Sequence, residues 1–164
     1  MNTFAKVLLV LGMTFSLVPT TIGAFGNGQK GMSREEFQRM YSDFLRDEGY
    51  KPVVDDDGDV RFKYEGKTYF IQVSENDPQY FRIAFANFWP IENEKELGQA
   101  FVAANDSNMK SKVSKVLIIR ENVWVSLEIF VGHPDDFKQV FSRSMSALNN
   151  GVDGFVKKMR ELNN

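Results

Sequence analysis

Four aspartates crowd around a glycine in Asp55-Asp56-Asp57-Gly58-Asp59, a composition that suits a calcium loop. Such a loop draws ligands from its first, third and fifth positions, turns on a glycine at the sixth, and closes with a bidentate glutamate at the twelfth. Setting Gly58 at the sixth position puts Val53 at the first and Tyr64 at the twelfth, while Glu65 arrives one residue late. Neither Val53 nor Tyr64 carries a carboxylate. The stretch is expected instead to be a solvated turn whose aspartates accept from backbone N–H groups.

The second place with chemical potential is Gly132-His133-Pro134-Asp135-Asp136. His133 is the only histidine and there is no cysteine, which is thin support for zinc. The segment is expected to open a helix, where negative charge complements the helix dipole. No serine lies in the strand–turn–helix elbow of a hydrolase. Gly26-x-Gly28-x-x-Gly31 matches the dinucleotide fingerprint in letters, but that fingerprint works only when a strand delivers the glycines to a helix start. Here the preceding segment reads as an export signal. No catalytic residue, metal ligand or cofactor is assigned, and the chain is not expected to be an enzyme. The alternative is an extracytoplasmic ligand- or metal-binding sensor or hydrolase using acids at Asp55–Asp59 or His133–Asp136.

The elements that must position any site begin after an address. A lysine at Lys6, an uncharged apolar run over Val7–Val18 and small residues up to Ala24 follow the order of a secretory signal. The run is shorter than the roughly 20 residues that a membrane-spanning helix needs, so no stable span is expected after cleavage. The division expected is a signal peptide over 1–24, a flexible mature N-terminus over 25–32, and one domain over 33–164, exported to a periplasm or the medium. The absence of cysteine removes both a disulfide framework and a lipoprotein anchor. A formal net charge of −2 argues against nucleic acid as the partner, because neutralising phosphates takes a clustered basic excess. Fifteen phenylalanines supply a core.

Ser33 and Glu36 form a capping box, and Phe37, Met40, Tyr41, Phe44 and Leu45 recur at helical spacing up to Gly49. The next forty residues alternate with period two, which predicts a meander of strands. Its apolar positions are Val53-Val54, then Val60/Phe62/Tyr64, Tyr69/Ile71/Val73 and Phe81/Ile83/Phe85. Asp57-Gly58 and Glu65-Gly66 sit where tight turns are needed. Glu92–Asn105 reads as a second helix with Leu97, Ala100, Phe101 and Ala104 on one side. Val113–Arg120 and Val123–Val131 read as two strands, apolar on both faces and therefore central. A last helix starts at Pro134, carries its apolar seam through Phe141, Met145, Leu148, Val152, Phe155, Met159 and Leu162, and has a candidate kink at Asn149-Asn150-Gly151 and Gly154.

Several of these residues together resemble a known group. Gly49-Tyr50, Pro52, Asp55, Asp57-Gly58-Asp59, Phe62-Lys63, Gly66-Lys67, Tyr69 and Asp77–Ile83 resemble the YbjN-like family, bacterial domains similar in fold to type III secretion chaperones. The resemblance implies a helix–meander–helix–hairpin–helix domain, often a homodimer, that binds other polypeptides, and it brings no catalytic residues. An export signal departs from that pattern, since secretion chaperones act in the cytoplasm.

The fold class expected is therefore α+β, an antiparallel meander sheet with helices packed mainly on one face. If the apolar set of the meander faces the helices, the opposite face carries Arg61, Lys63, Phe70, Gln72 and Arg82, with Trp124 and Phe130 beside them. Phe88 and Trp89 add to it near a sheet end. Arginine interleaved with aromatics is what interface cores use. Arg61, Lys63, Phe70, Arg82, Phe88, Trp89 and Trp124 are the candidate contacts to a protein or peptide partner.

Overall fold

A computed structural model describes residues 31–164. The proposed signal over 1–24 and all but the last two residues of the 25–32 segment lie outside the described residues. The glycine fingerprint does too, apart from Gly31.

Helix α1 (Arg34–Asp47) starts where the sequence says it should. Ser33 Oγ accepts from the Glu36 N–H, and the Glu36 carboxylate accepts from the Ser33 N–H at 2.7 Å. Four strands follow: β1 (Val53–Val54), β2 (Val60–Tyr64), β3 (Lys67–Ile71) and β4 (Tyr80–Pro90). Then come α2 (Glu94–Lys110), β5 (Ser114–Ile119), β6 (Asn122–Phe130) and the long α3 (Phe137–Asn163). The sheet is six-stranded and antiparallel throughout, in the order β1-β2-β3-β4-β6-β5. This is the expected α+β meander, closed at one end by a hairpin inserted with its second strand inward.

The tight turns rest on left-handed backbone. Glu65 and Gly66 both have positive φ between β2 and β3, the geometry a two-residue hairpin loop demands. Between β5 and β6 the loop is Arg120-Glu121, with Arg120 at φ 56°, one residue earlier than the sequence suggested.

All three helices lie on one face of the sheet. α3 crosses it with Phe137, Phe141, Met145, Leu148, Phe155 and Met159 buried, so the apolar seam packs on strands. Tyr41 and Phe44 of α1 meet Phe137 edge to face at 4.8 and 5.0 Å between ring centroids, geometry that adds to simple burial. The strands contribute the alternating set Val60, Phe62, Tyr69, Ile71, Phe81 and Ile83, with Val123, Val125 and Leu127 from β6. No described helix is long and apolar enough to cross a membrane.

Two expectations are corrected. The β5–β6 pair is not central as a unit: β6 lies between β4 and β5, and β5 is an edge strand. Its edge is protected by Asn108 of α2, whose side chain accepts from the Val116 N–H at 2.7 Å and donates to the Val116 carbonyl at 3.0 Å. An amide in that position stands in for a neighbouring strand and blunts a site of edge-to-edge pairing. Phe101 points outward, 58% exposed, because α2 turns the narrow face Ala100, Ala103, Ala104 and Ser107 toward the protein. The candidate kink positions Gly151 and Gly154 both lie within the continuous helix α3. These glycines serve contact: a Cβ on Gly151 would lie 3.0 Å from Ser114 Oγ and 3.1 Å from Val125 Cγ2.

Candidate functional site

The two sequence positions richest in chemical groups are built into the backbone. Asp55 Oδ1 accepts from the N–H groups of Asp57 and Asp59 at 3.1 and 3.0 Å, and Asp59 Oδ1 accepts from the Val73 N–H at 2.9 Å. Gly58, at φ 85°, makes the turn, and Gln38 and Arg34 of α1 donate to the carbonyls of Gly58 and Asp57. Burial pushes the Asp59 carboxyl up, against the pull of the Val73 N–H. The acidic cluster is a turn, as its spacing predicted. At the other position, Asp136 accepts from the His133 N–H at 2.8 Å and His133 Nδ1 from the Asp135 N–H at 3.3 Å, capping the short 3-10 turn Pro134–Asp136 that leads into α3. Among the described residues no group of three acidic or histidine side chains is gathered as a metal site.

What remains is the face of the sheet opposite the helices. Strand register puts Arg61, Phe70, Ala84, Ser126 and Lys115 in one row across five strands. The adjacent row is Gln72, Arg82 and Glu128. Lys63 pairs with Thr68, and Trp124 with Leu117, on the same side. Tyr80 and Phe130 are paired at the end of β4 and β6, with ring centroids 6.0 Å apart and Phe130 78% exposed. Phe70 and Trp124 meet edge to face at 5.9 Å.

The middle of this face is polar and ordered. Arg82 Nη1 donates to Gln72 Oε1 at 2.7 Å, and Arg82 Nε lies 3.5 Å from Glu128 Oε1, near enough for charge attraction but long for a hydrogen bond. Ser126 Oγ donates to Glu128 Oε1 at 2.8 Å and Lys115 Nζ bonds its other oxygen. Burial pushes the Glu128 carboxyl up, yet Lys115, Ser126 and Arg82 outweigh it and hold the group below its ordinary range. Burial and the Glu128 charge push the neighbouring Tyr80 hydroxyl up. The open face thus carries four cations, Arg61, Lys63, Arg82 and Lys115, around one carboxylate, flanked by two aromatic pairs.

Five of the seven candidate contacts, Arg61, Lys63, Phe70, Arg82 and Trp124, stand on this face. Phe88 and Trp89 do not. Between Phe85 and Trp89 the register of β4 against β6 slips, and Asn87 takes φ 51° at that irregularity. The bulge breaks the alternation and turns Phe88 toward the helices, where it meets Phe155 edge to face at 5.5 Å. Trp89 also packs on Phe155, at 5.8 Å, and its Nε1 donates to Glu96 at 2.8 Å. Both belong to the layer between helices and sheet. Sequence reasoning passed over Glu128, Lys115 and Tyr80; Glu128 lies in the same alternating set as Trp124 and Phe130, so that period was the available signal.

No protein-family model matches the chain, and no curated protein matches it by sequence. Its backbone does match solved structures. YbjN, a proposed transcription regulator from E. coli, aligns with a TM-score of 0.54 at 10% identity, over 74% of this chain and 90% of YbjN. This chain has the YbjN fold. A second match is the HopA1–SchA chaperone–effector complex, with a TM-score of 0.44 at 13% identity, over 76% of this chain and 93% of the matched one. Among the described residues, the cations and aromatics collect on the sheet face opposite the three helices.

Proposed function

We propose that this chain is an exported, non-enzymatic binding module that recognises another polypeptide, a second copy of itself included, through the open face of its sheet. The observation that carries the reading is the composition of that face: two aromatic pairs beside Arg61 and Lys63, with Arg82 held in place by Gln72 and Glu128. Rigid aromatics and arginine supply most of the energy of known interfaces. A polypeptide fits better than a phosphate backbone, because Arg82 and Lys115 already neutralise Glu128 and only Arg61 and Lys63 remain on the face for new charge. Asp55 and Asp59 of the acidic turn and Asp136 of the His133 cap accept backbone N–H groups, which disfavours the sensor or hydrolase alternative. Export rests on the signal-like order of residues 1–24.

Site-specific photo-crosslinking in the native host tests the binding role. A photoreactive residue at Phe130 is expected to yield one discrete polypeptide adduct, and the same residue at exposed Lys157 on α3 none. Adducts of equal yield from both positions would contradict the assignment of the face. N-terminal sequencing of the envelope or medium fraction tests export: a start near Phe25 supports it, and a chain that still begins at Met1 inside the cell overturns it.

A further inference from the structure

α2 and α3 touch through small residues. Ser107 Oγ donates to the Gly151 carbonyl at 2.9 Å, and a Cβ on Gly154 would lie 3.1 Å from Ser107 Oγ. Beside this crossing a cleft of 720 Å³ opens between the end of α2, the segment Ser111–Val113 and the first half of α3, above the end of β6. Its floor is Leu127 and Ile129, and its walls include Val113, Val140 and Ala147. Leu127 is fully buried, but Ile129, Val140 and Ala147 are only half-buried and Val113 is 40% exposed, so protein atoms leave this apolar lining partly uncovered.

The mouth has one sign of charge. Lys110, Lys112 and Arg143 border the cleft, and among the described residues no carboxylate lines it. Lys110 is paired with Asp106, whereas Lys112 and Arg143 have no ion-pair partner among the described residues. Inside, the hydroxyls of Ser107 and Ser144 already donate to the carbonyls of Gly151 and Val140. A peptide would bring a series of backbone N–H and C=O groups into a space whose hydroxyl donors are spent and where the Asn150 amide is the one unbonded side-chain amide among the described lining residues, and backbone groups are costly to bury unsatisfied. A hydrocarbon chain brings none. The volume falls in the range of small-molecule pockets.

We propose that this cleft binds a free fatty acid of medium chain length, its tail over Ile129, Val140 and Ala147 and its carboxylate at Lys112 and Arg143. The site is separate from the open face of the sheet, so this inference stands or falls independently of the polypeptide-binding reading. Burying each added methylene is expected to tighten binding about fourfold until the cleft is full.

Isothermal titration of the chain beginning at Phe25 with octanoate, decanoate and dodecanoate, each below its micelle concentration, tests the proposal. Saturable one-to-one binding that strengthens with chain length is expected, with dodecyltrimethylammonium failing to bind. Ala147→Trp is expected to weaken decanoate binding by intruding on the path of the tail. Lys112→Glu with Arg143→Glu, both exposed positions, is expected to weaken decanoate at least tenfold without moving the melting temperature, and this pair carries the test if Ala147→Trp does not fold. Phe130→Ala on the open face is expected to leave decanoate binding unchanged. The proposal is overturned by the absence of saturable decanoate binding, by equal affinity for the cationic amphiphile, by indifference to the charge reversal, or by binding to phospholipid vesicles alone.

Discussion

Truncating Phe88 distinguishes a core aromatic from an interface aromatic, and its cost follows from the packing. Phe155 is fully buried, and Phe88 meets it edge to face at 5.5 Å while stacking on Phe85 at 5.6 Å. A fully buried phenylalanine cut to alanine costs about 3–5 kcal/mol, and Phe155→Ala is expected in that range. Phe88 is half-buried, so Phe88→Ala is expected to cost about half as much, roughly 1.5–2.5 kcal/mol. Because the rings touch, the double variant should fall short of the sum by about 0.5–1.5 kcal/mol, the usual worth of an aromatic pair. Phe130→Ala, at 78% exposure, serves as the surface comparison and should stay within about 0.5 kcal/mol. Urea unfolding of the chain beginning at Phe25, followed by circular dichroism, measures all four variants. A cost for Phe88→Ala equal to that for Phe130→Ala, with no coupling to Phe155, would refute the bulge at Asn87 as the device that turns Phe88 inward.

Other consequences follow from the same contacts. Asn108→Ala removes both hydrogen bonds to Val116 and is expected to destabilise by about 1–3 kcal/mol while raising concentration-dependent association on size exclusion, because the β5 edge is uncovered. Unchanged stability and a monodisperse variant would contradict the edge-protecting role. Glu128 has a folded pKa below its ordinary 4.5, so its stabilisation is present above that value and is lost as pH falls through the folded pKa. Chemical unfolding at stepped pH below 5 should show this loss in the parent and less of it in Glu128→Gln. Asp59 has the opposite sign: its raised pKa means that stability is lost as pH rises from 3.8 through its folded value, a slope that Asp59→Asn should flatten. Asp55→Ala leaves the N–H groups of Asp57 and Asp59 without their acceptor and should cost about 1–3 kcal/mol, whereas millimolar calcium should leave the parent melting temperature unchanged. A calcium-dependent rise would reinstate the acidic loop as a metal site.

Local structure was legible where one residue type has one use. Ser33 and Glu36 announce a helix start, Gly58 and Gly66 supply positive φ for turns, and the spacing of Phe141, Met145 and Leu148 fixes the buried side of α3. Alternation likewise assigned Arg61, Phe70, Arg82 and Trp124 to one face. It carried no information about strand order, so the placement of β6 beside β4 and of β5 at the edge came only with the fold. Alternation also failed at Asn87, because a bulge adds residues that a strict period cannot contain. The signal was faint but present: asparagine tolerates left-handed backbone better than most residues. Phe101 was misplaced because a helix packed through alanines shows its larger side chains to solvent, inverting the usual rule. The cleft was invisible in the sequence, since it depends on how α2 and α3 part beside the Ser107–Gly151 contact.

The central claim, that the open sheet face holds a polypeptide, is tested most directly by native mass spectrometry of the protein purified gently from its own host. The parent is compared with Arg61→Glu, Lys63→Glu and Phe130→Ala combined, three exposed positions whose change leaves the core intact. The parent is predicted to carry a second polypeptide, another copy of this chain included, and the variant to appear alone. A parent that appears without any polypeptide, or a complex that survives in the variant, would contradict it.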